Sequence, residues 1–127
     1  MTEHRTPLAR VRGLGSAKTG TAHFWHQRLT AVANVPLTIA FVLIVVALLG
    51  GNHAAAQQIL ASPLVAIVML LFIGSVTYHM RIGMQVIIED YIHDEIAKLA
   101  LIMLNTFFAV AVALASAYAI FKLSFGV

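Results

Sequence analysis

Three long apolar runs decide what this chain can fold into. They cover roughly residues 30–49 ("TAVANVPLTIAFVLIVVALL"), 63–88 and 96–121, and each reaches the about 20 residues a helix needs to cross the hydrocarbon layer of a bilayer. A helix also satisfies its own backbone polar groups, which lipid cannot do. The expectation is therefore an all-α membrane protein with three transmembrane helices. Composition agrees, because 61% of the 127 residues are hydrophobic and only 10% are charged, more apolar surface than one soluble domain of this size can hide.

The chain divides into a basic N-terminal segment, 1–29, and a three-helix anchor, 30–127. Pro36 is tolerable near a helix start or at a kink, and Pro63 suits the first turn of the second span. Between them "GGNHAAAQQILAS" reads as a turn with a short surface helix. Arg5, Arg10, Arg12, Lys18 and Arg28 precede the first span, the first loop holds no Lys or Arg, and the second loop holds Lys98 among acids. The positive-inside rule then puts the N-terminus and the second loop on the cytoplasmic or matrix side and the C-terminus opposite. A basic flank beside a span is ordinary topology and lipid-headgroup chemistry, so nucleic acid is not the expected partner. The stretch "RGLGSAKTGTAHFWHQRLTA" lacks the apolar core and cleavage site of a secretory signal. It reads as a flexible lead into the interfacial aromatics Phe24 and Trp25. Its glycines follow no strand and lack a GKS/T end, so they form no phosphate-binding loop.

The chain has no cysteine. Disulfides, thiolate nucleophiles, zinc fingers and chain-borne iron–sulfur clusters are excluded, and a metal here must be held by His, Met, carboxylate or a prosthetic group. Attention then falls on "VTYHMRIGMQVIIEDYIHDE", residues 76–95. His79 and Arg81 stand inside an apolar run, where ionisable side chains are costly and mark function by default. At about 100° per residue, Ser75, His79, Gly83 and Asp90 share one helix face. Gly83 leaves a shelf beside the imidazole, which suits a flat macrocycle with an axial nitrogen. The competing reading is a buried His bonded to a neighbouring helix, with Gly83 as close packing. His79 lies about 14 Å from the cytoplasmic end of its span, whereas His23, His26 and His93 fall in cytoplasmic flanks and His53 in the opposite loop. Within the chain only Met103 reaches a comparable depth, so a bis-His haem needs its second His from another chain. Asp90 and Tyr91 fall at the membrane surface, where a phenol can donate to a quinone carbonyl. The plainer alternative is an interfacial Tyr on an acidic helix end. Glu89, Asp94 and Glu95 read as a solvated loop.

These residues carry a resemblance. The basic lead, "HFWHQRLTAVANVPL" opening span one and "HMRIGMQVIIEDYIHDE" closing span two resemble the small hydrophobic membrane-anchor subunit of succinate dehydrogenase (respiratory complex II), most closely the alphaproteobacterial type. The specific part is a His, a Gly four residues on, and Asp-Tyr beyond, as in His79, Gly83, Asp90 and Tyr91. The resemblance implies that His79 is one axial ligand of haem b, shared with the sister anchor, the cytochrome b556 subunit, with which the helices form a bundle. It also implies that Tyr91 hydrogen-bonds ubiquinone, that Asp90 helps set that site, and that Arg28 lies near the haem propionates and the quinone pocket. FAD and iron–sulfur clusters belong to two soluble partners, the flavoprotein and the iron–sulfur subunit, and the complex sits in the bacterial inner membrane. No role transfers to Arg81, which points about 160° away from His79 toward a partner chain or headgroup. Two rivals are the anchor of a fumarate reductase or other cytochrome b-type quinone oxidoreductase, and a non-redox small membrane protein.

Overall fold

A computed structural model describes residues 6–13 and 20–126. Five helices follow in order: α1 (Pro7–Val11), α2 (Gly20–Leu48), α3 (His53–Leu60), α4 (Pro63–Tyr91) and α5 (Glu95–Phe125). There is no strand among the described residues. Helices α2, α4 and α5 are each long and apolar enough to cross a membrane, as the three apolar runs predict.

Helix ends differ from run ends. Apolar residues mark only the part of a helix that sits in lipid, whereas the helix itself continues until the backbone meets a stop. No breaker stands between Gly20 and the first apolar residues, so α2 begins well before residue 30, and the expected boundary at 29/30 falls inside it. Pro36 is accommodated within α2, although it removes one backbone N–H from the ladder. Pro63 opens α4 behind Ser62, where its missing N–H has no helical partner to lose. The short helix expected in the first loop is α3, capped by Asn52, whose side chain accepts from the Ala55 N–H at 3.0 Å.

The loop between α4 and α5 is shorter than expected. Glu89 lies inside α4, where Gln85 Nε2 donates to its Oε1 at 2.8 Å. Asp94 caps α5 by accepting from the Ala97 N–H at 2.7 Å, and Glu95 is the first residue of α5. A carboxylate at each of these two positions favours a helix N-terminus through the macrodipole. At the far end α5 stops at Gly126, whose φ of 72° is the left-handed conformation usual after a helix. Of the expected basic segment 1–29, residues 1–5, with Arg5, and 14–19, with Lys18, lie outside the described residues.

Helix α4 runs between α2 and α5, whose backbones do not approach each other closely among the described residues. The three spans thus form an antiparallel row. The start of α2, the end of α4 and the start of α5 share one end, which carries Arg28, Asp90 and Tyr91. Few apolar side chains are buried: Leu60, Ala66, Ile82, Ile88, Ala109 and Ile120. Leu29, Val32, Ile39, Leu43 and Val46 lie exposed along the outer side of α2, as a lipid- or protein-facing surface requires.

Candidate functional site

The face of α4 that holds Ser75, His79 and Gly83 turns toward α2. Thr30 Oγ1 lies 3.0 Å from His79 Nδ1. One turn toward the shared end, a Cβ on Gly83 would stand 3.3 Å from Gln27 Nε2. One turn the other way in the same antiparallel register come Asn34 and Ser75. The oxygens Gln27 Oε1, Asn34 Oδ1 and Ser75 Oγ are buried without a partner. Beyond them Phe41 and Phe72 stack at 4.4 Å between ring centres. The seam between α2 and α4 is therefore built from small and polar residues at its middle and aromatics farther on. Small residues let helices approach closely in lipid, and polar ones join them there.

Three expectations change in detail. The shelf beside His79 is not bare, since the Gln27 amide covers the Gly83 position. His26 is not held apart in a flank: it belongs to α2, one turn from Thr30, and its Nδ1 lies 2.8 Å from the hydroxyl of Tyr78, the neighbour of His79. Arg81 also finds a different partner. It turns to α5 within the same chain, where its Nε donates to Thr106 Oγ1 at 3.2 Å and its backbone carbonyl accepts from Asn105 Nδ2 at 2.9 Å. The opposite-face placement holds, but the contact is intramolecular.

At the shared end, the Arg28 guanidinium lies over the Phe24 ring, 5.2 Å from its centre. Both border a cavity of about 340 Å³ between α2 and α4, lined also by His23, Gln27, Ile82 and Val86. Asp90 and Tyr91 are exposed in the last turn of α4. They are not among the residues lining this cavity, so the chain by itself does not join Arg28 and Tyr91 in one enclosure.

No group of three or more His, Cys, Asp or Glu able to hold a metal occurs among the described residues. A metal at His79 must then come within a prosthetic group or be shared with another chain. The chemistry of His79 suits a ligand of such a group: Nδ1 is engaged by Thr30, Nε2 has no partner among the described residues, and the residue is only partly buried. Met103 is half exposed on α5, the helix that meets the Arg81 side of α4. It shares no seam with His79.

Residues 2–113 match the family model of the succinate dehydrogenase/fumarate reductase transmembrane subunit. The chain belongs to this family. A hydrophobic membrane anchor subunit of succinate dehydrogenase from Paracoccus denitrificans is 31% identical over 95% of this chain and 93% of its own length. Its counterpart from Rickettsia bellii is 29% identical over 94% of this chain and 95% of its own length. A succinate dehydrogenase membrane anchor subunit from Reclinomonas americana is 33% identical over 75% of this chain and 82% of its own length. No solved structure matches significantly. As a transmembrane subunit of this family with three spanning helices, the chain is a multi-pass membrane protein, as the apolar runs and the His-Gly-Asp-Tyr pattern lead one to expect. Sequence reasoning missed Gln27, Thr30 and Asn34. Their signal was available: they recur at helical spacing within "HQRLTAVAN", opposite the spacing of Ser75, His79 and Gly83.

Proposed function

We propose that this chain is the hydrophobic membrane-anchor subunit of a succinate:ubiquinone oxidoreductase in the bacterial inner membrane, with its N-terminus cytoplasmic. It holds the flavoprotein and iron–sulfur subunits at the membrane, contributes His79 as one axial ligand of haem b, and lends Tyr91, Asp90 and Arg28 to the ubiquinone-reduction site. The observation that carries the reading is an imidazole inside a membrane span with one nitrogen fixed and the other free, in a chain whose relatives are succinate dehydrogenase anchors. The same relatives favour succinate dehydrogenase over fumarate reductase, which the family description also covers.

Haem b, when bound, supplies one-electron redox capacity within the bilayer. This chain's residues do the rest by position. His79 would hold the haem through its free Nε2, with Nδ1 bonded to α2. Gly83 leaves room for the Gln27 amide one turn from His79. Tyr91, with its ring at the membrane surface, donates its hydroxyl proton in a hydrogen bond to a quinone carbonyl, and the Asp90 carboxylate beside it accepts from water that carries protons to the site. Arg28 presents a planar fork to a propionate or quinone oxygen. The second haem ligand comes from the sister anchor, the cytochrome b556 subunit, and FAD and the iron–sulfur clusters from the soluble partners.

Purification through a tag on this chain tests the proposal. The expected product contains the three partner subunits, shows b-type absorption bands and reduces a short-chain ubiquinone with succinate. A chain recovered without these partners, or a complex that binds no haem and reduces no quinone, overturns it.

A further inference from the structure

We infer that Thr30 is the positioning residue for His79: its hydroxyl receives the Nδ1 proton, which makes Nε2 the lone-pair nitrogen and fixes the plane of the ring. This inference rests on the reading of His79 as a haem ligand. It starts from a proton count at one oxygen. Thr30 Oγ1 stands 2.7 Å from the His26 carbonyl oxygen and 3.2 Å from that of Gln27. Two oxygens approach to 2.7 Å only with a proton between them, and a carbonyl has none to give. The single hydroxyl proton of Thr30 is thus committed to its own helix, the usual back-bond of a mid-helix threonine.

What remains on Oγ1 is acceptor capacity. The partner at 3.0 Å is His79 Nδ1, so the proton between them belongs to the imidazole. A neutral ring with its proton on Nδ1 carries its lone pair on Nε2, the form that binds a metal. Because Thr30 and His79 belong to different helices, the bond also ties the ligand to α2, and rotation of the ring is restrained from both sides. The close approach of Gln27 to the Gly83 position, one turn away, matches the register that brings Thr30 level with His79.

The bond has an electronic consequence. Donation from Nδ1–H to an acceptor raises the basicity of the ligating nitrogen, and a more basic axial ligand favours ferric over ferrous iron. Loss of the acceptor therefore raises the reduction potential. The test is a redox titration of the haem in the assembled complex, followed by visible absorption, with low-spin ferric EPR as a second readout. Thr30→Val removes the hydroxyl and keeps the branched shape, whereas Thr30→Ser keeps the hydroxyl. The expected result is an upward shift of about 59 mV in Thr30→Val, equivalent to about tenfold in a one-electron equilibrium, with altered EPR g values and wild-type behaviour in Thr30→Ser. Wild-type potential and g values in Thr30→Val overturn the inference, and so does an equal shift in both variants, which is a packing effect. If Thr30→Val does not assemble, Thr30→Ala is read by the same criterion. Failure of both hydroxyl-free variants to assemble makes Thr30 a structural residue and ends the assignment. Haem unchanged in His79→Leu ends the ligand reading itself, whereas haem lost there and unmoved in Thr30→Val ends this inference alone.

Discussion

Tyr91 ends α4 with 76% of its surface exposed, and its hydroxyl meets no donor or acceptor among the described residues. Burial within this chain thus does not explain the residue, and the proposed quinone bond would give its hydroxyl a partner. The placement of the hydroxyl is readable from the sequence, because the apolar run closes just before it and an acidic stretch follows. What the sequence does not reveal is its separation from Arg28, which borders a different enclosure between α2 and α4. Removing the hydroxyl alone isolates its role. Tyr91→Phe, measured on the assembled complex, is expected to lower quinone reduction about tenfold or more, as loss of a hydrogen bond to a reacting carbonyl does. The haem spectrum and succinate oxidation by an artificial acceptor stay at wild-type level. Normal quinone kinetics would leave Tyr91 as an interfacial aromatic only.

Helix α4 meets a different neighbour on each side, and the two sides were unequally legible. The face with Ser75, His79 and Gly83 follows from helical periodicity alone, and the structure turns it as a unit toward α2. The partners on α2 were not legible, since they depend on how far one helix slides along the other, and that is set by packing across the seam. The same holds for Arg81. Its direction follows from its two-residue offset from His79, but its partner Thr106 lies twenty-five residues away on α5. A half-buried guanidinium needs that acceptor, and this predicts a pattern of non-additivity. Thr106→Val should lower the thermal stability of the detergent-solubilised complex by leaving Arg81 Nε unpaired, by about 1 kcal/mol on the scale of interhelical bonds in membranes. Adding Arg81→Leu should recover part of the loss, because no unpaired charge then remains. Simple addition of the two losses would show that Arg81 draws its support from elsewhere.

Taken whole, the molecule is a row rather than a closed bundle. Because the backbones of α2 and α5 do not approach each other closely and both helices pack on α4, the outer helices keep broad apolar surfaces, among them Leu29, Val32 and Ile39 on α2 and Leu104, Phe107 and Leu114 on α5. Lipid or another apolar protein surface is the surrounding such a row needs. Its orientation rests on Lys and Arg alone, and it predicts that a cysteine or tag placed after Gly126 is labelled from the periplasmic side in intact cells, while one in the α4–α5 turn is not. The reverse pattern inverts the topology and puts Tyr91 and Asp90 on the side opposite the proposed soluble partners. The central claim, however, is that His79 carries haem into this fold, and one spectrum tests it. In the purified complex, reduced-minus-oxidised absorption of His79→Leu should show the b-type bands lost or displaced, with succinate oxidation by an artificial acceptor retained. Bands of wild-type position and amplitude, with an unchanged midpoint potential, would contradict the account.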